Sequence, residues 1–231
     1  MRGFSLAICL AAAAVWAPVL AIAGDVLYEQ LPVDPDLLLH ASSQEFPDQP
    51  SFTIFAADDF TVSDDAGWSV DALNSYFTTG NGSGIDADGM RWIIWDDDGG
   101  DGTPGTEMLN IVGGAYDVET GLADINLGDL GEDILLAPGD YWFTSQIIAP
   151  IGTFGQEFHA GSLDGAGSRN FHWSNPGGGF ELPNEGWNDA FGLGISDVQN
   201  LAFQIGGTVV PEPTTLGLLG ALSLIVLRRR R

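Results

Sequence analysis

The sequence predicts an all-β fold, one antiparallel β-sandwich of jelly-roll-like arrangement, and three observations predict it. From Gly24 onward, short apolar or alternating runs are separated by Gly, Asp, Asn and Pro, the residues that turn a chain. No long segment places apolar residues at a helical period, so amphipathic helices are not expected. No period of about 20 to 50 residues repeats, which argues against a solenoid or propeller and leaves two antiparallel sheets closed over one core.

Taken in order, Val26 to Glu29 forms a first short strand, followed by a polar, Pro-rich connection through Pro50. Ser51 to Ala57 and Phe60 to Val62 read as strand material broken at Asp58-Asp59. Trp68 to Phe77 alternates, with Trp68, Val70, Ala72 and the following alternate positions facing a core; Gly80 to Gly84 ends it as a loop. Met90 to Asp96 carries bulk on both faces, Met90, Trp92 and Ile94 against Arg91, Ile93 and Trp95, and so predicts a central strand covered on both sides. Asp96 to Thr106 is an acidic, glycine-rich connection, and Glu107 to Val118 returns as a strand with a weak spot at Gly113-Gly114. Asp140 to Ile148 is a strong strand, with Tyr141, Phe143, Ser145 and Ile147 on one face and Trp142, Thr144 and Gln146 on the other. Phe171 to Trp173 is a short strand, and Asn200 to Val210 closes the domain.

The two ends are of another kind. Arg2 precedes an apolar run from Phe4 to Val19, and Ala21-Ile22-Ala23 supplies small residues at the two positions a signal peptidase reads. Residues 1–23 are therefore expected to be a signal peptide cleaved before Gly24. Cys9 lies inside it, so the mature chain has no cysteine and can form neither a disulfide nor a thiolate metal site. At the other end, residues 210–231 join Val-Pro-Glu-Pro to an uncharged run, Thr214 to Leu227, and to Arg228 to Arg231. As a helix that run covers about 21 Å, short of the ~30 Å hydrocarbon core, and spans only if the arginines snorkel to the cytoplasmic headgroups. A single short transmembrane helix is the expectation.

This order of parts, with Pro211, Glu212 and Pro213 as the motif, a short hydrophobic segment and a basic tail, resembles the PEP-CTERM sorting signal of bacterial exported proteins. The resemblance implies processing by an exosortase, besides removal of the N-terminal signal by signal peptidase. The precursor is then in the inner membrane, held only through its C-terminal segment, and the product at the cell surface or outside the cell. The body, residues 24–209, is similar to a recurrent type in that group. The similar pieces are Val26-Leu27-Tyr28, Ala56 to Val62, Asp96 to Thr106, Tyr141-Trp142 and Leu201 to Thr208. It implies a β-sandwich and little about activity.

Residues 24–213 hold all 32 acidic residues against two cations, Arg91 and Arg169, a net charge of −30. Such a surface repels nucleic acid and anionic lipid and attracts divalent cations, so no nucleic-acid partner is expected. Asp96, Asp98 and Asp101, in a run of aspartates and glycines, are spaced much like calcium ligands, and calcium is the one cofactor the sequence suggests. However, the EF-hand pattern fails at Gly100 and lacks its closing glutamate, and a solvated hairpin loop is the alternative. Trp142, Trp173 and Trp187 are candidates for stacking on sugar rings, with core packing as the alternative. No Gly-x-Ser-x-Gly and no metal-spaced histidine pair occurs among His40, His159 and His172. The expectation is a non-enzymatic cell-surface or biofilm-matrix protein. A module binding extracellular polysaccharide is the alternative, and a secreted hydrolase, whose two carboxylates would leave no sequence trace, is the third reading.

Overall fold

A computed structural model of the chain describes residues 25–32, 42–78, 87–118, 120–163, 169–181 and 186–211. The strands in chain order are β1 (Asp25–Gln30), β2 (Gln44–Glu45), β3 (Phe55–Val62), β4 (Trp68–Thr78), β5 (Gly89–Asp96), β6 (Glu107–Val112), β7 (Ala115–Asp117) and β8 (Leu122–Asn126). They continue with β9 (Ile134–Leu136), β10 (Gly139–Ile148), β11 (Phe158–His159), β12 (Gly161–Ser162), β13 (His172–Ser174), β14 (Asn188–Asp189), β15 (Asn200–Leu201) and β16 (Phe203–Val209). The α-helix among the described residues is one turn, α1 (Ile151–Phe154). The fold is all-β and sandwich-like, as the turn chemistry and the lack of helical periodicity predict.

The first sheet runs β1-β16-β4-β8-β7, with β9 and β11 also paired to β4. The second runs β14-β13-β3-β10-β5-β6. Pairing is antiparallel except for the two-residue β2, which lies parallel to β10. The inward faces supply one core: Val70, Leu73, Phe77, Ile125, Phe203 and Ile205 from the first sheet meet Phe60, Met90, Trp92, Ile94, Phe143 and Ile147 from the second. Phe143 stacks on Phe203 across the sandwich at 4.7 Å between ring centroids, so one aromatic pair ties the middle strands of both sheets. Emptying such a site costs about 3–5 kcal/mol per Phe→Ala change. A second cluster, with Phe46, Ile54, Phe171, Trp173 and Leu201, packs residues 190–201 against β3 and β13.

Met90 to Asp96 lies between β10 and β6 and is covered on both faces, as the bulk at alternate positions requires; Trp92, Ile93 and Ile94 are all buried. The two glycines expected to weaken the next strand do more than that. The chain leaves the second sheet after β6 and enters the first at β7, turning at Gly113-Gly114. Gly114 has φ +83°, and a Cβ there would stand 2.3 Å from the Asp124 carbonyl oxygen.

Two expectations need correction. The Asp58-Asp59 pair does not break its strand: β3 runs through it, with the two residues 0% and 1% exposed. Burial is tolerated because Asp58 accepts hydrogen bonds from the Leu201 amide at 2.7 Å and the Asp59 amide at 3.1 Å, while Asp59 faces Arg169. The simple alternation of β4 also fails. Opposite the Gly206/Gly207 step, β4 has one extra residue, Asp71, and this bulge re-phases the strand so that Leu73 and Phe77 enter the core. The short strand β8 has no counterpart in the sequence reading.

Candidate functional site

The outward face of the second sheet carries the most distinctive chemistry. β10 turns Trp142, Thr144 and Gln146 outward because Tyr141, Phe143 and Ile147 are taken by the core. The outward groups are nevertheless buried, since the chain from residue 169 onward folds back over them.

Arg169 fastens that cover. Its guanidinium donates to Asp97 at both nitrogens, Nη1 to Oδ1 at 2.6 Å and Nη2 to Oδ2 at 2.9 Å, and lies 5.0 Å from the centre of the Trp142 ring. Asp59 and Asp140 stand 3.6 and 3.8 Å from its other faces. Trp142 donates its Nε1 proton to the same Asp97 oxygen at 2.8 Å, and His172 sets its edge on the indole at 4.9 Å. One guanidinium thus joins the β5–β6 loop, β3, β10 and the covering segment through a planar two-toothed pair and a ring contact. Asp189 extends the arrangement by accepting from the Asn170 amide and from the Gly192 backbone amide.

Burial raises the Asp97 carboxyl, but bonds from Arg169 and Trp142 outweigh it and hold the group below the usual carboxylate range. The same pairing raises Arg169 further. Burial lowers His172, whose Nδ1–H donates to the Asn170 carbonyl, so the neutral ring is favoured against Trp142. Inside the fold, burial drives Asp58 well above its ordinary value, partly opposed by the Leu201 amide. The Gln30 amide, with its nitrogen towards Asp58 and the Leu201 carbonyl and its oxygen towards the Tyr28 hydroxyl, completes that buried network.

Beside this cover a groove of about 370 Å³ opens on the same sheet face. Its polar side is a continuous row. Arg91 on β5 donates to Glu45 at 2.8 Å and to Asn110 at 3.1 Å, and Asn110 donates to Glu107 at 2.9 Å. Its apolar lining residues are Pro50, Phe55, Pro176 and the buried Ile93. Trp187 meets Phe55 edge-on at 6.5 Å and Trp95 at 5.6 Å, and the Trp95 Nε1–H donates to Thr144 at 3.1 Å.

The residues singled out from sequence fare differently. Trp142 is fully buried with its ring already occupied by Arg169 and His172, so it presents no face to a sugar. Trp173 lies in β13, 4% exposed and packed against Phe180. Trp187 is half-buried at the rim of the aromatic group. Asp96, Asp98 and Asp101 do not converge into a calcium cage: among the described residues no three acidic or histidine side chains are gathered to hold a metal ion. The Asp98 carboxylate instead accepts the Thr106 amide at 2.6 Å and the Thr106 hydroxyl at 2.7 Å, the Asp96 carboxylate accepts the Asp97 amide, and Asp101 sits at φ +52° in the turn. This is the self-bonded hairpin loop, with the Thr106 bonds holding Asp98 low.

A serine–histidine cluster exists but lies in the core. Ser75 and Ser145 approach His159 Nε2 at 2.7 and 2.9 Å with all three residues buried, where no substrate reaches. Pro211 is exposed just beyond β16; Glu212, Pro213, the hydrophobic run, the arginine tail, the signal peptide and His40 lie outside the described residues. No described helix is long and apolar enough to cross a membrane.

Sequence reasoning missed Arg169, Asp59 and Asp97. The available signal was arithmetic: with only Arg91 and Arg169 as cations against 32 acids in residues 24–213, each was expected to face carboxylates. Comparison of the chain with family models, curated proteins and solved structures finds no match.

Proposed function

We propose that the protein is an exported, non-enzymatic component of the bacterial surface or extracellular matrix, delivered as a precursor with a signal peptide and a PEP-CTERM-type sorting segment. The single observation that carries the reading is where the chain enters and leaves the body. β1 begins at Asp25 and β16 ends at Val209, and the two pair antiparallel with Asp25 opposite Gly207. The Val210 amide still bonds the Gly67 carbonyl at 2.9 Å, and Pro211 then stands exposed. Both predicted tags therefore attach at the same end of the sandwich. A precursor with both tags in one membrane would hold its body on one side, and removing both would leave every described strand in place.

The strand order supports a jelly roll as the body's topology. β1, β16, β4 and β8, with β9 also paired to β4, lie in one sheet; β3, β10, β5 and β6 lie in the other. The chain passes between them in the sequence of a double Greek key. The serine–histidine cluster among the described residues is sealed in the core, which favours a structural or binding role over serine hydrolysis.

Fractionation of an exosortase-bearing host tests the reading. Wild type is expected at the surface or in the medium, and Glu212→Ala or deletion of residues 212–231 is expected to leave it in the membrane or periplasm. Equal surface delivery of all three forms would defeat it.

A further inference from the structure

We infer that the Glu45–Arg91–Asn110–Glu107 groove is a subsite for an uncharged hexopyranose glycan. Three features of the groove converge on that chemistry. The first is its polar row. Arg91 offers five N–H donors and spends two on Glu45 and Asn110. Each carboxylate of the row has capacity for about four hydrogen bonds and accepts one within the row. Donors and acceptors therefore alternate along one line with capacity to spare. A sugar hydroxyl, which both donates and accepts, matches such a line; a purely cationic or purely anionic ligand does not.

The second is its apolar lining. Phe55, Pro50 and Pro176 give the groove accessible apolar surface, which the C–H face of a pyranose ring can cover. Trp187 meets Phe55 edge-on and is itself met by Trp95, so Phe55 belongs to a packed aromatic group. A groove of about 370 Å³ lies at the small end of the range for ligand sites, and being open it can admit part of a chain rather than a whole compound.

The third is charge. The row carries one cation and two carboxylates on a body that is strongly acidic throughout. A uronate or sulfated polymer meets repulsion from the approach onwards, whereas a neutral polymer does not.

The inference builds on the matrix reading for where the polymer is met, and on the groove alone for whether it is bound. It is tested with the full chain in mild detergent by affinity electrophoresis through gels containing dextran, a β-glucan, galactomannan or alginate. Wild type is expected to be retarded by at least one neutral polymer and not by alginate. Asn110→Ala and Glu107→Ala, both at exposed positions, are expected to weaken that retardation about tenfold, the effect of losing one well-formed hydrogen bond to the ligand. Phe55→Ala is expected to do the same by removing apolar lining, and thermal melts of each variant register whether it is folded. Free mobility of wild type in all neutral gels, wild-type retardation of the folded Asn110→Ala and Glu107→Ala variants, or equal retardation by alginate overturns the inference. Correct surface delivery together with free mobility removes the glycan subsite and leaves the sorting reading standing; retardation without surface delivery does the reverse.

Discussion

Replacing Arg169 by Met tests the account of how the outer face is held. Met keeps much of the apolar stem that lies over Trp142 and removes only the charge and its hydrogen bonds. What remains is Asp97, Asp59 and Asp140 around a site with no cation, and Asp59 is almost wholly buried there. Breaking a fully buried pair costs about 3–5 kcal/mol, and breaking an exposed one under about 1. The Arg169 and Asp97 side chains are 24% and 22% exposed, so the expected loss is intermediate, about 2–4 kcal/mol. For a body of this size that lowers Tm by roughly 5–15 °C. Arg91→Met is the internal control. Its pair with Glu45 is a single contact between side chains 26% and 33% exposed, and its loss is expected to cost about 1 kcal/mol or less. Urea unfolding at pH 7, followed by tryptophan fluorescence, measures both variants. A loss below about 1 kcal/mol for Arg169→Met, or equal losses for the two, would show that Arg169 does not fasten the cover.

Three further outcomes follow from named contacts. Asp58 is raised by burial, so between the ordinary carboxylate pKa of about 4 and its folded value the native state holds a proton that the unfolded chain has released. Stability from this group is therefore highest in acid and declines as pH rises through that window. Asp58→Asn is expected to flatten the decline in a urea-midpoint profile, and an unchanged slope would refute the assignment. Gly114→Ala forces a Cβ against the Asp124 carbonyl at φ +83° and is expected to cost about 1–3 kcal/mol, read as a lowered urea midpoint. Because Asp98 is committed to Thr106, EDTA is expected to leave Tm unchanged; a fall of several degrees restored by calcium would return the hairpin to the list of metal sites.

The sequence showed most clearly what periodicity and turn chemistry control. The alternation of Met90 to Asp96 and of Asp140 to Ile148 identified the middle strands of the second sheet and sorted their residues onto two faces, and Gly113-Gly114 stood out as a weak spot. It did not show what depends on pairing across the chain. A buried Asp58-Asp59 reads as a break until the Leu201 amide and Arg169, more than a hundred residues away, are placed beside it. The bulge at Asp71 shifts β4 because of Gly207 on its partner strand, which no local pattern reveals. The tryptophans misled for the same reason. Trp142 has the strand-face position of a ligand platform, and only the return of Arg169 and His172 over its ring converts it to interior. The groove residues Glu45, Arg91 and Asn110 come from three separate strands, and nothing in their local sequences connects them.

The central claim, a body closed by β1 and β16 with removable tags at one end, is most directly tested by intact-mass and terminal-peptide mass spectrometry of the protein recovered from the cell surface or medium. The account predicts an N-terminus at Gly24 and a C-terminus at or near Pro211 to Pro213. A surface-recovered chain that still ends at Arg231, or still begins at Met1, would contradict it.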